Sequence, residues 1–119
     1  MKKTVILDTD FIINIVKNKI ELSIKEKFPF PVEISILDKT LEELKNKPYE
    51  KLALHLIKDF KIIKTKKDDT VDNLILALIE KGKSLIIATQ DKKLKEKLKK
   101  GKVPIITIRQ QKYLFIEGF

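Results

Sequence analysis

The chain has 119 residues, no cysteine and one histidine, and its net charge is +9 because 26 basic residues oppose 17 acidic ones. This composition excludes a disulfide scaffold, a thiolate metal site, a cysteine nucleophile and a multi-histidine metal site. The charge favours either a polyanionic partner or a solvated surface rich in ion pairs.

The length suits one domain, and we expect residues 1–119 to form it. The longest apolar run, Leu74 to Ile79, is far too short to cross a membrane, and no signal peptide is visible. The sequence therefore predicts a soluble, cytoplasmic protein with no membrane partner.

Short β-branched apolar runs alternate with longer amphipathic segments along the chain. This alternation predicts an α/β fold, in which a parallel sheet is covered by helices on both faces. Pro48 separates two predicted helices, and Gly82 and Gly101 are suited to ending two others. The predicted strands are residues 5–7, 34–37, 62–63, 85–88 and 105–108. The predicted helices are residues 10–19, 39–46, 49–59, 70–81 and 92–100, with a short helix near 20–27.

Acidic residues follow the strands at positions where open α/β sheets carry their functional groups. Asp8 and Asp10 follow the first strand, and Asp91 follows the fourth. Asp72 lies in the first turn of the helix over 70–81, and Glu43 lies on the helix after the second strand. If the first and fourth strands are neighbours, Asp8 and Asp91 converge on one cleft.

Helix capping is the alternative explanation for each of these acids. Asp8 or Thr9 could cap the first helix, and Asp91 the last. Asp68 or Asp69 could cap the helix over 70–81, and Thr40 with Glu43 has the spacing of a capping box. Capping does not, however, require acids after two adjacent strands or an acid in a strongly apolar helix.

Four segments, taken together and in this order, resemble the four sequence motifs of the PIN domain family. The tail from Gly101 to Leu114 is similar to that of the archaeal rRNA-processing branch of the family. The segments are residues 5–12, 40–44, 71–76 and 87–94.

The resemblance implies a three-layer α/β/α fold with a five-stranded parallel sheet of order 3-2-1-4-5. It also implies an endoribonuclease whose clustered acids hold Mg²⁺ or Mn²⁺ while a water molecule attacks an RNA phosphodiester. The catalytic residues by this resemblance are Asp8, Glu43, Asp72 and Asp91.

The resemblance, together with the residue types, also implies roles within this site. Asp8 and Asp91 are expected to be the most direct metal ligands, and Asp72 to be a ligand or to hold one in place. Glu43 is expected to orient the water or carry a second metal, and Asp10 to be either a further ligand or a helix cap. The side chains expected to position water or phosphate are Thr9, Thr89 and Asn73.

Asn73 is a departure from the family pattern, because many PIN proteins have a second acid at this position. An asparagine carbonyl can ligate a metal but carries no charge, which weakens the case for a tightly held second metal. The substitution motivates an alternative function, an RNA-binding or assembly module with little or no nuclease activity.

Lysine clusters on the last helix and before the third motif could hold RNA phosphates, although such runs are often only solvated faces. The lysines expected on the RNA backbone are Lys92, Lys93, Lys95, Lys66 and Lys67.

The sequence is compatible with several partners besides RNA. A toxin-type ribonuclease with an antitoxin would share the site, whereas the processing branch implies a ribosome-assembly partner. The C-terminal residues either pack on the sheet or form a homodimer contact; they are Tyr113, Leu114, Phe115 and Phe119.

Overall fold

The computed structural model describes residues 2–82 and 84–118, and strands and helices alternate along most of this length. The first half contains β1 (Lys3–Leu7), α1 (Thr9–Lys17), a 3₁₀ turn (Lys25–Lys27), β2 (Val32–Leu37), α2 (Asp38–Leu44) and α3 (Glu50–Ile57). The second half contains β3 (Lys61–Ile63), α4 (Val71–Glu80), β4 (Leu85–Ala88), α5 (Lys92–Lys100), β5 (Ile105–Arg109) and β6 (Tyr113–Glu117).

The strands form one sheet of order β3-β2-β1-β4-β5-β6. The first five strands are parallel to their neighbours, which confirms the predicted order 3-2-1-4-5. The register places Leu7 beside Ala88, so β1 and β4 end at the same edge of the sheet. This adjacency is what the convergence of Asp8 and Asp91 requires.

The sheet has six strands rather than the five predicted, because β6 pairs antiparallel with β5. The two strands are joined by a tight turn in which Gln110 and Gln111 both have φ of 54°. Such turns usually contain Gly, Asn or Asp, so two glutamines concealed this one in the sequence. Leu114 is therefore buried against the sheet and Phe115 half-buried, whereas Tyr113 is exposed and Phe119 lies outside the described residues.

The core has two parts, one on each face of the sheet. Phe11 of α1, Leu44 of α2 and Ile57 of α3 pack on one face together with Val5. The opposite face packs α4 and α5 against the strands, with Ile6 among its buried residues. Because consecutive strand residues point to opposite faces, β1 contributes to both parts. The three-layer arrangement is the predicted one.

Helix boundaries differ from the predictions where backbone conformation intervenes. Pro48 lies between α2 and α3 as expected, but Tyr49 has φ of 68°, so α3 begins only after it. The short helix near 20–27 is reduced to the 3₁₀ turn. Gly82 has φ of 82° just beyond α4, and Gly101 is the C-cap of α5. None of the helices within residues 2–82 and 84–118 has the length and apolar character needed to span a membrane.

Candidate functional site

The candidate site lies where β1 and β4 end side by side. The backbone N–H of Asp8 donates to the carbonyl of Ala88 at 3.0 Å, so the chain leaves both strands at the same level. Asp8 is only 3% exposed, and Thr89, which follows β4, is fully buried. A carboxyl group and a hydroxyl group are thus enclosed together at the carboxyl edge of a sheet that is otherwise apolar here.

One hydroxyl group links the two predicted metal ligands. Thr89 Oγ1 donates a hydrogen bond to Asp8 Oδ2 and accepts one from the backbone N–H of Asp91 at 3.1 Å. The second oxygen of Asp8 accepts from the backbone N–H of Phe11 at 2.8 Å, and Asp91 Oδ1 accepts from that of Leu94 at 2.8 Å. Asp8 and Asp91 are therefore the N-caps of α1 and α5 and also members of one site.

Glu43 joins the site from α2 through a second threonine. Thr9 Oγ1 donates to Glu43 Oε1 at 2.6 Å, and the backbone N–H of Val71 donates to Glu43 Oε2 at 3.2 Å. The carboxylate thus connects the starts of α1 and α4, and Asp72 is the residue next to Val71. The hydroxyl groups of Thr89 and Thr9, which were predicted to position water or phosphate, donate hydrogen bonds to Asp8 and Glu43.

Burial and mutual repulsion raise the pKa values of two acids of the site, Asp8 and Asp72. Burial raises the pKa of Asp8 to about 7, although hydrogen bonds from Thr89 and Phe11 oppose the shift and the charges of Asp72 and Asp10 add to it. For a carboxyl group this is far above the ordinary value near 4. Asp8 therefore holds a proton through much of the acidic range.

The pKa of Asp72 is also raised, and the causes are similar. Burial raises its pKa to about 6, with further increases from the charges of Asp91, Glu43 and Asp10 and a smaller decrease from Lys97. The acids thus repel one another across four elements of the fold. A site that gathers negative charge against its own repulsion favours a cation.

The donor set fits a hard divalent cation in its chemistry, since carboxylate oxygens are the ligands that such ions prefer. Within the described ranges 2–82 and 84–118, however, no three His, Cys, Asp or Glu side chains lie close enough together to form a ready metal cluster. The hydrogen bonds to Thr89, Phe11 and Leu94 hold the carboxylates in their capping positions. The site therefore has the negative charge that attracts a cation, but its carboxylates are not yet arranged to coordinate one together.

Two predicted contributors lie at the margin of this network. Asn73 is exposed, and its side-chain amide donates to Asp69 Oδ1 at 2.8 Å. Asp10 is also exposed, but its charge raises the pKa of both Asp8 and Asp72. Asp10 therefore belongs to the site electrostatically, whereas the amide of Asn73 is directed to Asp69.

Two predicted caps are wrong. The N-cap of α4 is Thr70, which accepts from the backbone N–H of Asn73, and not Asp68 or Asp69. The capping-box interpretation of Thr40 fails because α2 begins at Asp38, which places Thr40 inside the helix. Glu43 therefore does not take part in a capping box, and its carboxylate accepts hydrogen bonds from Thr9 and Val71.

The predicted lysines differ in their relation to the acids. Lys92 and Lys93 are exposed, whereas Lys95 is half-buried; burial lowers its pKa, while the charges of Glu117 and Asp8 act to raise it. Lys66 is exposed, and Lys67 forms an ion pair with Glu42 at 3.7 Å. Lys95 thus interacts electrostatically with Asp8, a site acid.

Two further residues, Lys97 and Asp38, are not among the predicted site residues. Lys97, whose charge lowers the pKa of Asp72, was not singled out from the lysine-rich helix. Asp38 follows β2 directly, and its oxygens accept from Thr65 Oγ1 at 2.6 Å and from the backbone N–H of Thr65 at 2.8 Å. The signal for Asp38 in the sequence is its position directly after the predicted second strand.

Comparisons with known proteins agree on one family. The chain matches the model of the PIN-like domain over residues 5–111. It is 35% identical to Ribonuclease VapC4 of Methanocaldococcus jannaschii, with 96% of both chains covered. Its structure matches that of the PIN domain endonuclease Utp24 with a TM-score of 0.79 and 27% identity, covering 98% of this chain and 92% of that one.

Proposed function

The chain belongs to the PIN-like domain family, and we propose that it is a divalent-metal-dependent endoribonuclease that hydrolyses RNA phosphodiester bonds. The observation that carries the proposal is the acidic network where β1 and β4 end. There, Asp8 and Asp72 have raised pKa values because they are buried beside other acids. Both similar proteins named above are nucleases by name.

Mg²⁺ or Mn²⁺ would be held by Asp8, Asp72 and Asp91, with Glu43 and Asp10 as the adjacent acids. When bound, such an ion stabilises negative charge on the phosphate and activates a water molecule for attack. The chain's own contribution is to gather these oxygens, and their ionisation would accompany metal binding. Asp8 and Asp72, whose pKa values are raised, would lose their protons as a cation bound.

Hydrogen bonds fix the orientation of the acids before any substrate arrives. Both oxygens of Asp8 are held, one by Thr89 and one by the backbone of Phe11. Thr9 and the N–H of Val71 hold Glu43 in the same way. Groups that orient metal ligands typically contribute 10–100-fold to affinity or activity, so we assign Thr89 and Thr9 as positioning residues.

Lysines of α5 would attract the RNA. The charges of Lys95 and Lys97 interact with Asp8 and Asp72, which brings positive charge beside the acids. Lys92 and Lys93 are exposed at the start of the same helix. Such lysines favour contact with the phosphate backbone and not with particular bases, because lysine lacks arginine's bidentate geometry.

Cleavage of single-stranded and structured RNA tests the proposal directly. We expect cleavage with Mg²⁺ or Mn²⁺, none in EDTA, and at least about a 100-fold loss in Asp91→Asn, since a lost ligand should exceed the 10–100-fold typical of its supports. The capping bond of Asp91 can be kept by the asparagine oxygen, so the variant should fold. Undiminished cleavage by folded Asp91→Asn would refute the proposal.

We further propose a role in rRNA processing in the cytoplasm, which the tail from Gly101 to Leu114 supports through its similarity to the archaeal processing branch. A ribosome-assembly partner would then recruit the enzyme. A toxin role with an antitoxin is the second candidate, and an antitoxin gene immediately upstream would favour it. Crosslinking to RNA in cells, followed by sequencing, separates rRNA precursors from other targets.

The RNA-binding module without nuclease activity is the alternative that Asn73 motivates. It predicts salt-sensitive RNA binding with no metal-dependent cleavage. The charged network around Asp8 favours the enzyme, because binding RNA phosphates does not require buried acids.

A homodimer is also compatible with the structure, because Tyr113 of β6 is exposed and could contact a second copy. Sedimentation at several protein concentrations would detect such a dimer.

A further inference from the structure

A groove between β3 and α4 lies apart from the acidic network. The face of the sheet that α4 and α5 cover presents Ser35 of β2 beside Lys61 of β3, its partner in register. A cavity of about 280 Å³ opens over this pair, lined also by Thr4, Lys64 and Leu78. We call this cavity and its extension along α4 the β3–α4 groove.

The extension is a second cavity of about 360 Å³ that shares Lys64 and Leu78 with the first. Its walls carry Lys66 and Lys81, with the single acid Asp68 among its lining residues. No ion pair within the described ranges involves the lysines of this cavity, which are Lys64, Lys66 and Lys81. The β3–α4 groove is therefore a positively charged channel along one side of α4.

Ser35 gives the β3–α4 groove a feature of a built site. Its side chain is 0% exposed, and Oγ has no hydrogen-bond partner among the residues described. A buried hydroxyl without a partner destabilises a fold, so such groups usually serve a ligand or an ordered water. Lys61 is paired with Glu33 at 3.4 Å, which leaves Lys64 as the cation available beside Ser35.

We propose that the β3–α4 groove binds phosphate groups, with Ser35 Oγ donating to a phosphate oxygen and Lys64 supplying the charge. A hydroxyl donor beside a free ammonium group on an apolar wall suits one oxyanion. The extension, at about 360 Å³, has the size of a small-ligand pocket, and the cavity over Ser35, at about 280 Å³, is slightly smaller.

The source of the phosphate is the RNA backbone, and this part rests on the proposed function. Lys64, Lys66 and Asp68 line the β3–α4 groove shortly before the start of α4, whose first turn carries Asp72. An RNA strand with one phosphate at the acids could thus continue along α4. Free nucleotide or inorganic phosphate would satisfy the same chemistry, so the test separates these sources.

The experiment compares Ser35→Ala and Lys64→Gln with Lys112→Gln as the matched control. Lys112 lies in the turn between β5 and β6, at the opposite edge of the sheet from β3, and its loss removes the same charge. Binding of a fluorescent RNA 12-mer is measured in EDTA, so that no cleavage occurs. Inorganic phosphate is titrated separately while the backbone amide signals of Ser35 and Lys64 are followed by NMR.

We expect Lys64→Gln to weaken RNA binding about five- to tenfold and to reduce the salt dependence by roughly one ion, as loss of one phosphate contact does. Ser35→Ala should weaken RNA binding several-fold without lowering Tm, because its hydroxyl has no hydrogen-bond partner to lose among the described residues. Lys112→Gln should change binding less than about twofold. Phosphate should shift both amide signals in the wild type and neither in the two groove variants.

Equal RNA and phosphate binding by all four proteins, with a higher Tm for Ser35→Ala, would overturn the proposal and make Ser35 an ordinary buried defect or a water site. Phosphate binding without any groove effect on RNA would overturn the RNA source and assign a free-phosphate site. Lys64→Gln keeps the test valid if Ser35→Ala fails to fold, because Lys64 is exposed. Loss of cleavage in Asp91→Asn is independent of every one of these outcomes, so the two proposals can fail separately.

Discussion

Asp8 and Asp38 follow neighbouring strands, and each accepts a hydrogen bond from a threonine hydroxyl, yet their pKa values are shifted in opposite directions. Asp8 follows β1 and accepts a hydroxyl hydrogen bond from Thr89, which follows the adjacent strand β4. Asp38 follows β2 and accepts one from Thr65, which lies just beyond the adjacent strand β3. Burial raises the pKa of Asp8 to about 7, whereas the pKa of Asp38 lies below its ordinary value.

The surroundings explain the difference. Burial acts to raise the pKa of Asp38 too, but hydrogen bonds from Thr65 and Lys39 and the charge of Lys67 together outweigh it. Asp8 is 3% exposed and has the acids Asp72 and Asp10 as its charged neighbours. The same aspartate–threonine hydrogen bond therefore accompanies a lowered pKa at Asp38, which lies near solvent and a lysine. It accompanies a raised pKa at Asp8, which is buried among other acids.

The largest expected difference is in catalysis. Asp8→Asn should reduce RNA cleavage with Mn²⁺ by about 100-fold or more, because a direct metal ligand should exceed its supporting residues in effect. Asp38→Asn makes the matching change at the other pair and should stay within about threefold of wild type. Initial rates at saturating Mn²⁺ measure both, and equal losses in the two variants would end the functional distinction between the pairs.

Stability without metal should depend on pH with opposite signs at the two acids. The folded-state pKa of Asp8 is raised, so its contribution is full below about pH 4 and is lost as the pH rises through 7. The loss should be roughly 2–3 kcal/mol between pH 5 and 8, and absent in Asp8→Asn. Urea unfolding in EDTA measures it.

The contribution of Asp38 has the reverse sign. Its folded-state pKa is lowered, so the stability it adds is present at neutral pH and is lost as the pH falls through that lowered value. Asp38→Asn should therefore differ from wild type near neutral pH and converge with it in acid. A difference that grows in acid would contradict the assignment.

Removing the hydroxyl groups should give intermediate effects. Thr89→Val removes the donor to Asp8 and the acceptor for Asp91, so cleavage should fall about 10–100-fold. The pKa of Asp8 should rise further, which would move the pH–rate profile to higher pH; a merely structural defect would lower the rate without this shift. Thr65→Val should cost about 1 kcal/mol of stability and leave the profile unchanged.

Lysine substitutions should have the smallest effects. Lys97→Gln should raise the pKa of Asp72, and Lys67→Gln should raise that of Asp38, because each removes a charge that lowers it. Cleavage should change less than about threefold in either variant, since exposed charges are screened. Carboxyl NMR titrations at low and high salt measure the shifts, which should shrink as salt increases.

The sequence determined the features that depend on near neighbours in the chain. Alternating apolar runs and amphipathic segments identified the five parallel strands, and the spacing of Asp8 and Asp91 from the following helices correctly indicated capping. Asp72 was correctly placed in the first turn of α4. These features follow from helix geometry and side-chain alternation, which act over three or four residues.

Only the tertiary structure decided which groups meet. Thr89 reaches Asp8 across 81 positions of sequence, and Thr9 reaches Glu43 across 34, because the strand order places β1 beside β4 and α1 beside α2. The antiparallel strand β6 depended on two glutamines adopting positive φ. The sequence likewise does not show that the Ser35 hydroxyl lacks a partner within residues 2–82 and 84–118, because the hydrogen bonding of a buried polar group depends on every element packed around it.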